Sequence, residues 1–186
     1  MKGRPRSFEL GDVLEKAMTV FWRHGYEGAS LGRLQTATGL TPPSIYNAFG
    51  SKAGLYEACL DHYAAGPGAR HVAELTEPPS KDGVRAFLVA AARDFTDPGS
   101  PPGCMISTAA LNLSPELTSV GNTTAARRGA TMSLIEDYLS RAGATDPPTL
   151  ARFFGAVIQG MSVQARDGAT EEELTAVADV AITAWR

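Results

Sequence analysis

Residues 30–49 read SLGRLQTATGLTPPSIYNAF, and this stretch decides the fold. Leu31 and Leu34 open a short amphipathic helix over 31–38. Gly39 falls where a turn between two helices needs a positive φ. Thr41 then starts a second short helix running to about Phe49, with Pro42 at its first position, where the missing N–H removes no helical bond. Leu40 plugs the angle between the helices, and Ile45 and Phe49, four residues apart, face inward together. Thr41, Pro42, Ser44, Tyr46, Asn47 and Ala48 are left wholly or partly free. Two short helices about a glycine turn, braced by a third, have the form of a helix-turn-helix, and the free face is polar and small enough for a major groove roughly 12 Å wide. Spacing alone fits an ordinary helical hairpin of an all-α protein equally well.

Working outward, Leu10, Val13, Leu14, Ala17, Val20 and Phe21 recur at three- and four-residue steps and predict a first helix over 8–24, ended by Gly25 as a left-handed cap. A longer helix starts at Lys52, and Gly66-Pro67-Gly68 interrupts or ends it. Further helices are expected near 81–96, 102–112, 115–142, 147–167 and 170–185, separated by Pro/Gly breaks. Ser30, Thr41, Ser51, Ser80, Ser114, Asp146 and Thr170 each stand where an N-cap oxygen can take a free amide, and Thr170 with Glu173 forms a capping box. No period-2 strand of useful length and no fixed repeat occurs. The fold class is therefore all-α: a three-helix head, residues 1–52, on a helical bundle body, residues 53–186.

Of 186 residues, 44% are hydrophobic, enough for a packed core, and no apolar run approaches a membrane span. The start of the chain lacks the apolar region of a secretory signal, so a cytoplasmic protein is expected. Cys59 and Cys104 suggest no disulfide framework. The net charge is −3, yet residues 1–60 carry seven basic and five acidic side chains while the remainder carries ten and fifteen. A mildly basic head on an acidic body suits docking one end on phosphates. Lys2, Arg4 and Arg6 form a short basic arm that reads equally as a solvated terminus or as a contact to DNA.

Residues 19–56, TVFWRHGYEGASLGRLQTATGLTPPSIYNAFGSKAGLY, closely resemble the N-terminal domain of the TetR family of transcriptional regulators. The matching elements are F-x-x-x-G-[YF]-x-x-x-[ST]-[LIVT] at Phe21 to Leu31, the Gly39 turn, S-[IL]-Y-x-x-F at Ser44 to Phe49, and K-x-x-L at Lys52 to Leu55. Gly103-Cys104-Met105 and Gln164-Ala165-Arg166-Asp167-Gly168 look like one AcrR-like subgroup. The resemblance implies that Ser30 caps the second helix and touches phosphate, that Tyr46 reaches a phosphate through its hydroxyl, and that Lys52 neutralises another. It puts Thr41, Pro42, Pro43, Ser44 and Asn47 on the recognition helix. Thr41 and Ser44 are then suited to phosphate or base edges, the prolines to a thymine methyl, and Asn47 to adenine. Gly32 stands where some relatives carry a base-reading side chain, and Arg33 beside it is placed toward the DNA backbone.

The resemblance also implies a dimer through the last two helices. Phe153, Val157, Ile158 and Met161 on the first, and Leu174, Val177, Ala181 and Trp185 on the second, serve either that interface or the subunit's own core. A small-molecule effector cavity is implied in the body. Its candidates are Tyr63, Phe87, Phe95, Cys104 and Met105, with Thr108, Asn112, Met132, Ile135 and Tyr138, though aromatic and Met residues at helical spacing also make plain core. Asn112, amid apolar neighbours, needs partners if buried. Cys104, near a helix start, reads as a small buried apolar residue or as a sensing thiol.

An enzyme would need a base or metal set. His24, His62 and His71 show no ligand spacing, and no nucleophile elbow, phosphate loop, zinc-protease or dinucleotide motif occurs. The expected partners are thus double-stranded operator DNA, an effector and a second copy of the chain, with no metal, cofactor or membrane.

Overall fold

The first helix, α1 (Arg6–Gly28), runs a turn past its expected end. Gly25 does take a positive φ of 70°, but the chain resumes helical turns to Gly28, because the Tyr26 amide is bonded 2.7 Å from the Ala109 carbonyl rather than left free. This computed structural model describes residues 6–186, with side chains from Leu10 onward; Lys2, Arg4 and the Arg6 side chain lie outside the described residues. Phe21, Ala17 and Met18 bury α1 in the core, while Leu10, on the expected apolar face, is exposed.

α2 (Leu31–Thr38) and α3 (Pro42–Phe49) follow as expected, joined by Gly39 at φ 75°. α4 (Lys52–Ala65) packs along α1, and the Tyr56 ring meets both Phe21 and Tyr26 edge-on at centroid distances of 5.0 and 5.1 Å. A four-residue α5 (Ala69–Val72), not foreseen in sequence, turns the chain toward α6 (Lys81–Thr96). The helix expected over 102–112 shrinks to α7 (Met105–Thr108). Its flanks have tertiary partners instead of helical ones: the Cys104 amide donates to Ser162 Oγ at 2.7 Å, and the Ala109 carbonyl serves Tyr26.

The next helix begins with a 3₁₀ turn, Pro115–Leu117, before α8 (Thr118–Arg141). Ser114 does not cap it through its side chain; its hydroxyl donates to Glu27 at 2.5 Å. α9 (Pro147–Arg166) and α10 (Glu171–Ala181) close the chain, with a last 3₁₀ turn, Ile182–Ala184. The other expected caps form, Ser30, Thr41, Ser51, Ser80, Asp146 and Thr170 each accepting an amide, and the Thr170–Glu173 box is complete. Such caps contribute about 1 kcal/mol each.

One apolar core runs from α1 and α4 into α6, α8, α9 and α10, with Phe87, Phe95, Tyr138 and Phe154 essentially inaccessible. Burial of each such side chain stabilises by roughly 1.5–3 kcal/mol. Among the described residues there is no strand, and no helix is long and apolar enough to cross a membrane.

Candidate nucleic-acid interface and body cavity

Ile45 is fully buried and Phe49 half-buried, so the register of α3 is fixed by its inward face. The opposite face then has no choice but to look outward. Thr41, Pro43, Tyr46, Asn47 and Ala48 are exposed, and Pro42 and Ser44 half-buried. Thr41 Oγ1 accepts the free amide of Ser44 at 3.4 Å and lies 2.9 Å from Ser44 Oγ, so both hydroxyls are preordered at the helix start. Tyr46 is 46% exposed.

Ser30 Oγ accepts the Arg33 amide at 3.2 Å, and the Arg33 guanidinium is exposed beside His24, 3.5 Å from its ring nitrogen. Gly32 is exposed, and a Cβ there would meet only Ser30 Oγ, at 3.9 Å. Lys52, at the start of α4, holds its ammonium 4.4 Å from the centroid of the Tyr26 ring. Burial lowers its pKa below the ordinary lysine value, and the nearby Glu27 carboxylate acts the other way. Each sequence-predicted reader residue from Ser30 to Lys52 is thus at least half-exposed or partly so, on the two short helices or at the first turn of α4.

Two sets of contacts that sequence reasoning missed join this head to the body. Arg166, near the end of α9, donates from Nη1 to the Trp22 carbonyl at 3.0 Å and from Nη2 to the Arg23 carbonyl at 3.2 Å. The Ser114 hydroxyl and amide both donate to Glu27 Oε1, holding that carboxyl below its ordinary pKa. Only the helix ends and turns carry these bonds, and no periodicity marks them.

In the body, a cavity of about 190 Å³ opens between α4, α5, α6, α7, α8 and α9. Of the effector candidates, Tyr63, Phe95, Cys104 and Met132 line it. The others lie elsewhere. Phe87, Met105 and Ile135 are fully buried outside its wall. Tyr138 is a structural hydrogen-bonder: its hydroxyl donates to the Thr76 carbonyl and accepts the Ser80 amide, both at 3.1 Å. Thr108 and Asn112 border a separate surface cleft beside Gly25, and Asn112 is exposed and needs no buried partner. His71, Ile106, Ser107, Arg128 and Gln159 line the cavity and were not foreseen. Tyr63 is 2% exposed, and burial, then the adjacent Cys104 thiol, push its hydroxyl well above the ordinary tyrosine pKa.

Of the residues assigned to a dimer face, Ile158, Met161, Leu174, Ala181 and Trp185 are buried within the chain's own core, and Ile158 also walls the cavity. Val157 and Val177 are half-buried and pack against the same core, while Phe153 is exposed, as are Val163 and Val180, at 44% and 72%. Among the described residues no cluster of His, Cys, Asp or Glu is arranged to hold a metal ion.

An outward polar recognition helix, packed against α4 and carried on an all-helical body, defines a helix-turn-helix regulatory protein. The family model for bacterial regulatory proteins of the tetR family matches residues 13–59. The chain is 35% identical to the HTH-type transcriptional repressor ComR of Escherichia coli (strain K12), over 99% of this chain and 92% of that protein. It is 30% identical to the repressor BdcR of the same strain, over 96% of this chain and 90% of that one. A cysteine-substituted form of the TetR family transcriptional regulator CifR, solved with 26-base-pair double-strand operator DNA, superposes with a TM-score of 0.92 at 40% identity, over 98% of this chain and 100% of the other. This chain belongs to the TetR family of transcriptional regulators, and it is a regulator, not an enzyme.

Proposed function

We propose that this protein is a homodimeric transcriptional repressor of the cytoplasm. Its head, residues 1–52, binds operator DNA, and its body, residues 53–186, pairs with a second copy and releases the DNA when a small effector enters the cavity. The outward face of α3 carries the reading: Thr41, Ser44, Tyr46 and Asn47 are turned away from a core that holds Ile45. Likeness over nearly the whole chain to a regulator solved on operator DNA supports it. In this arrangement Tyr46 and Lys52 meet phosphates, while Thr41, Pro42, Pro43, Ser44 and Asn47 enter the major groove. Ser30 and Arg33 meet the backbone from α2. A second copy is required because two recognition helices must reach half-sites about one helical turn apart.

An effector acts only through unequal affinity for the DNA-bound and DNA-free shapes of the body. A mobility shift on the duplex upstream of the chain's own gene tests both halves. Salt-sensitive binding that Tyr46→Phe with Lys52→Ala weakens is the expected result. Binding that ignores those changes refutes the contact assignment, and body ligands that never alter DNA affinity refute the switch.

A further inference from the structure

Resting on that ligand-switch reading, we infer that the cavity takes a small organic anion: an apolar body carrying one carboxylate-like group, which Arg128 receives. The walls are mostly apolar, with Phe95, Ile106, Met132 and Ile158 among them. None of the lining residues is Asp or Glu, and Arg128 is the one permanent cation. Its guanidinium makes no ion pair among the described residues; Nη1 donates 3.2 Å to the Ile106 carbonyl, whereas the adjacent Arg127 pairs with Asp61. Asp94, which bonds the lining residue His71 at 3.1 Å, also contacts Arg93, and it makes no ion pair with Arg128 among the described residues. A half-buried guanidinium with five donors and one carbonyl partner has capacity for a bidentate acid. An anion entering an apolar site needs such a partner, and a neutral molecule does not. The volume is below the roughly 300–1,000 Å³ of drug-sized sites, so the molecule is small.

The same guanidinium connects the cavity to the head. Ile106 lies on α7, whose next residue, Ala109, accepts the Tyr26 amide, and the segment continues to Ser114, bonded to Glu27. An acid held by the remaining donors shifts the guanidinium that also holds the Ile106 carbonyl, and with it the strap over the end of α1. Through Tyr26, whose ring lies under the Lys52 ammonium, the change reaches the DNA-contacting end of α4.

Isothermal titration of the full chain with matched pairs, benzoate against benzamide and hexanoate against hexanamide, tests the ligand class. The acid of at least one pair is expected to bind ten-fold or more tighter than its amide. Arg128→Met should erase that preference and Arg128→Lys should keep part of it. Amides binding as well as acids, a preference that survives Arg128→Met, or no binding of any probe would overturn the inference. Mobility shifts on the same preparation separate this from the broader reading. DNA released by neutral molecules alone leaves the switch standing and the anion refuted; absence of any duplex binding refutes the regulator, while the titration still reports on the cavity.

Discussion

Lys52 carries its ammonium over the face of Tyr26, 4.4 Å from the ring centroid, so the start of α4 is fixed to the end of α1 by a cation–π contact. Tyr26 is itself held by Phe21 and Tyr56 and by its amide bond to Ala109. The lysine is therefore presented in one place rather than swept through solvent. If it neutralises one phosphate in each of the two heads, Lys52→Ala flattens the log–log salt dependence of operator binding by about 1.8 and weakens binding to all duplex sequences alike. Affinity measured over a range of salt concentrations checks this; an unchanged slope would remove Lys52 from the interface.

Glu27 gives the strap over α1 a pH dependence. The Ser114 hydroxyl, then the Ser114 amide, donate to its carboxylate and lower its pKa. A carboxyl whose folded pKa is depressed contributes stability above its unfolded pKa and loses it as pH falls through the folded value. Ser114→Ala is expected to move the Glu27 pKa part of the way back up, since the backbone donor remains, and to reduce the acid sensitivity of the melting temperature in that window. Carboxyl-carbon NMR titration of the two proteins measures the shift; identical titration curves would mean the hydroxyl bond does not persist in solution.

The reader was legible because its constraints are local. Gly39, the caps Ser30 and Thr41, and the inward pair Ile45 and Phe49 state the turn, the helix starts and the register within twenty residues. The cavity was only half legible. Tyr63, Phe95, Cys104 and Met132 line it, yet Tyr138, of the same chemical type, is spent on Thr76 and Ser80. Which side of a buried helix meets a void depends on how six helices are arranged, and helical spacing does not encode that. The failure at 102–112 has the same origin: Ser162 and Tyr26 claim the backbone groups that a longer helix would have used.

The two thiols should differ in reactivity. Cys59 is fully buried, and burial, with a smaller contribution from Glu15, pushes its pKa up to about 12. Cys104 is 7% exposed and borders the cavity. Because the thiolate is the reactive form and needs access, methyl methanethiosulfonate should label Cys104 in the native protein and Cys59 only on unfolding. Peptide mass spectrometry after brief labelling distinguishes them. Equal native labelling of both would mean that the α1–α4 packing opens readily.

α9 and α10 turn several apolar side chains outward. Phe153 is 39% exposed, and Val163 and Val180 are more so, with Ala156, Val157, Gly160 and Val177 on the same flanks. On the proposed dimer these exposed apolar side chains pack against the second copy. A charge placed there goes unpaired on burial, whereas the core residues Met161 and Leu174 behind it are untouched. Phe153→Arg with Val180→Arg is therefore expected to give a folded monomer by sedimentation equilibrium, with helical circular dichroism retained. Operator affinity should fall by about 100-fold or more, because each head then binds its half-site without the other. If the double variant still sediments as a dimer, the pairing surface lies elsewhere, and the spacing of the two recognition helices must be derived from another face of the body.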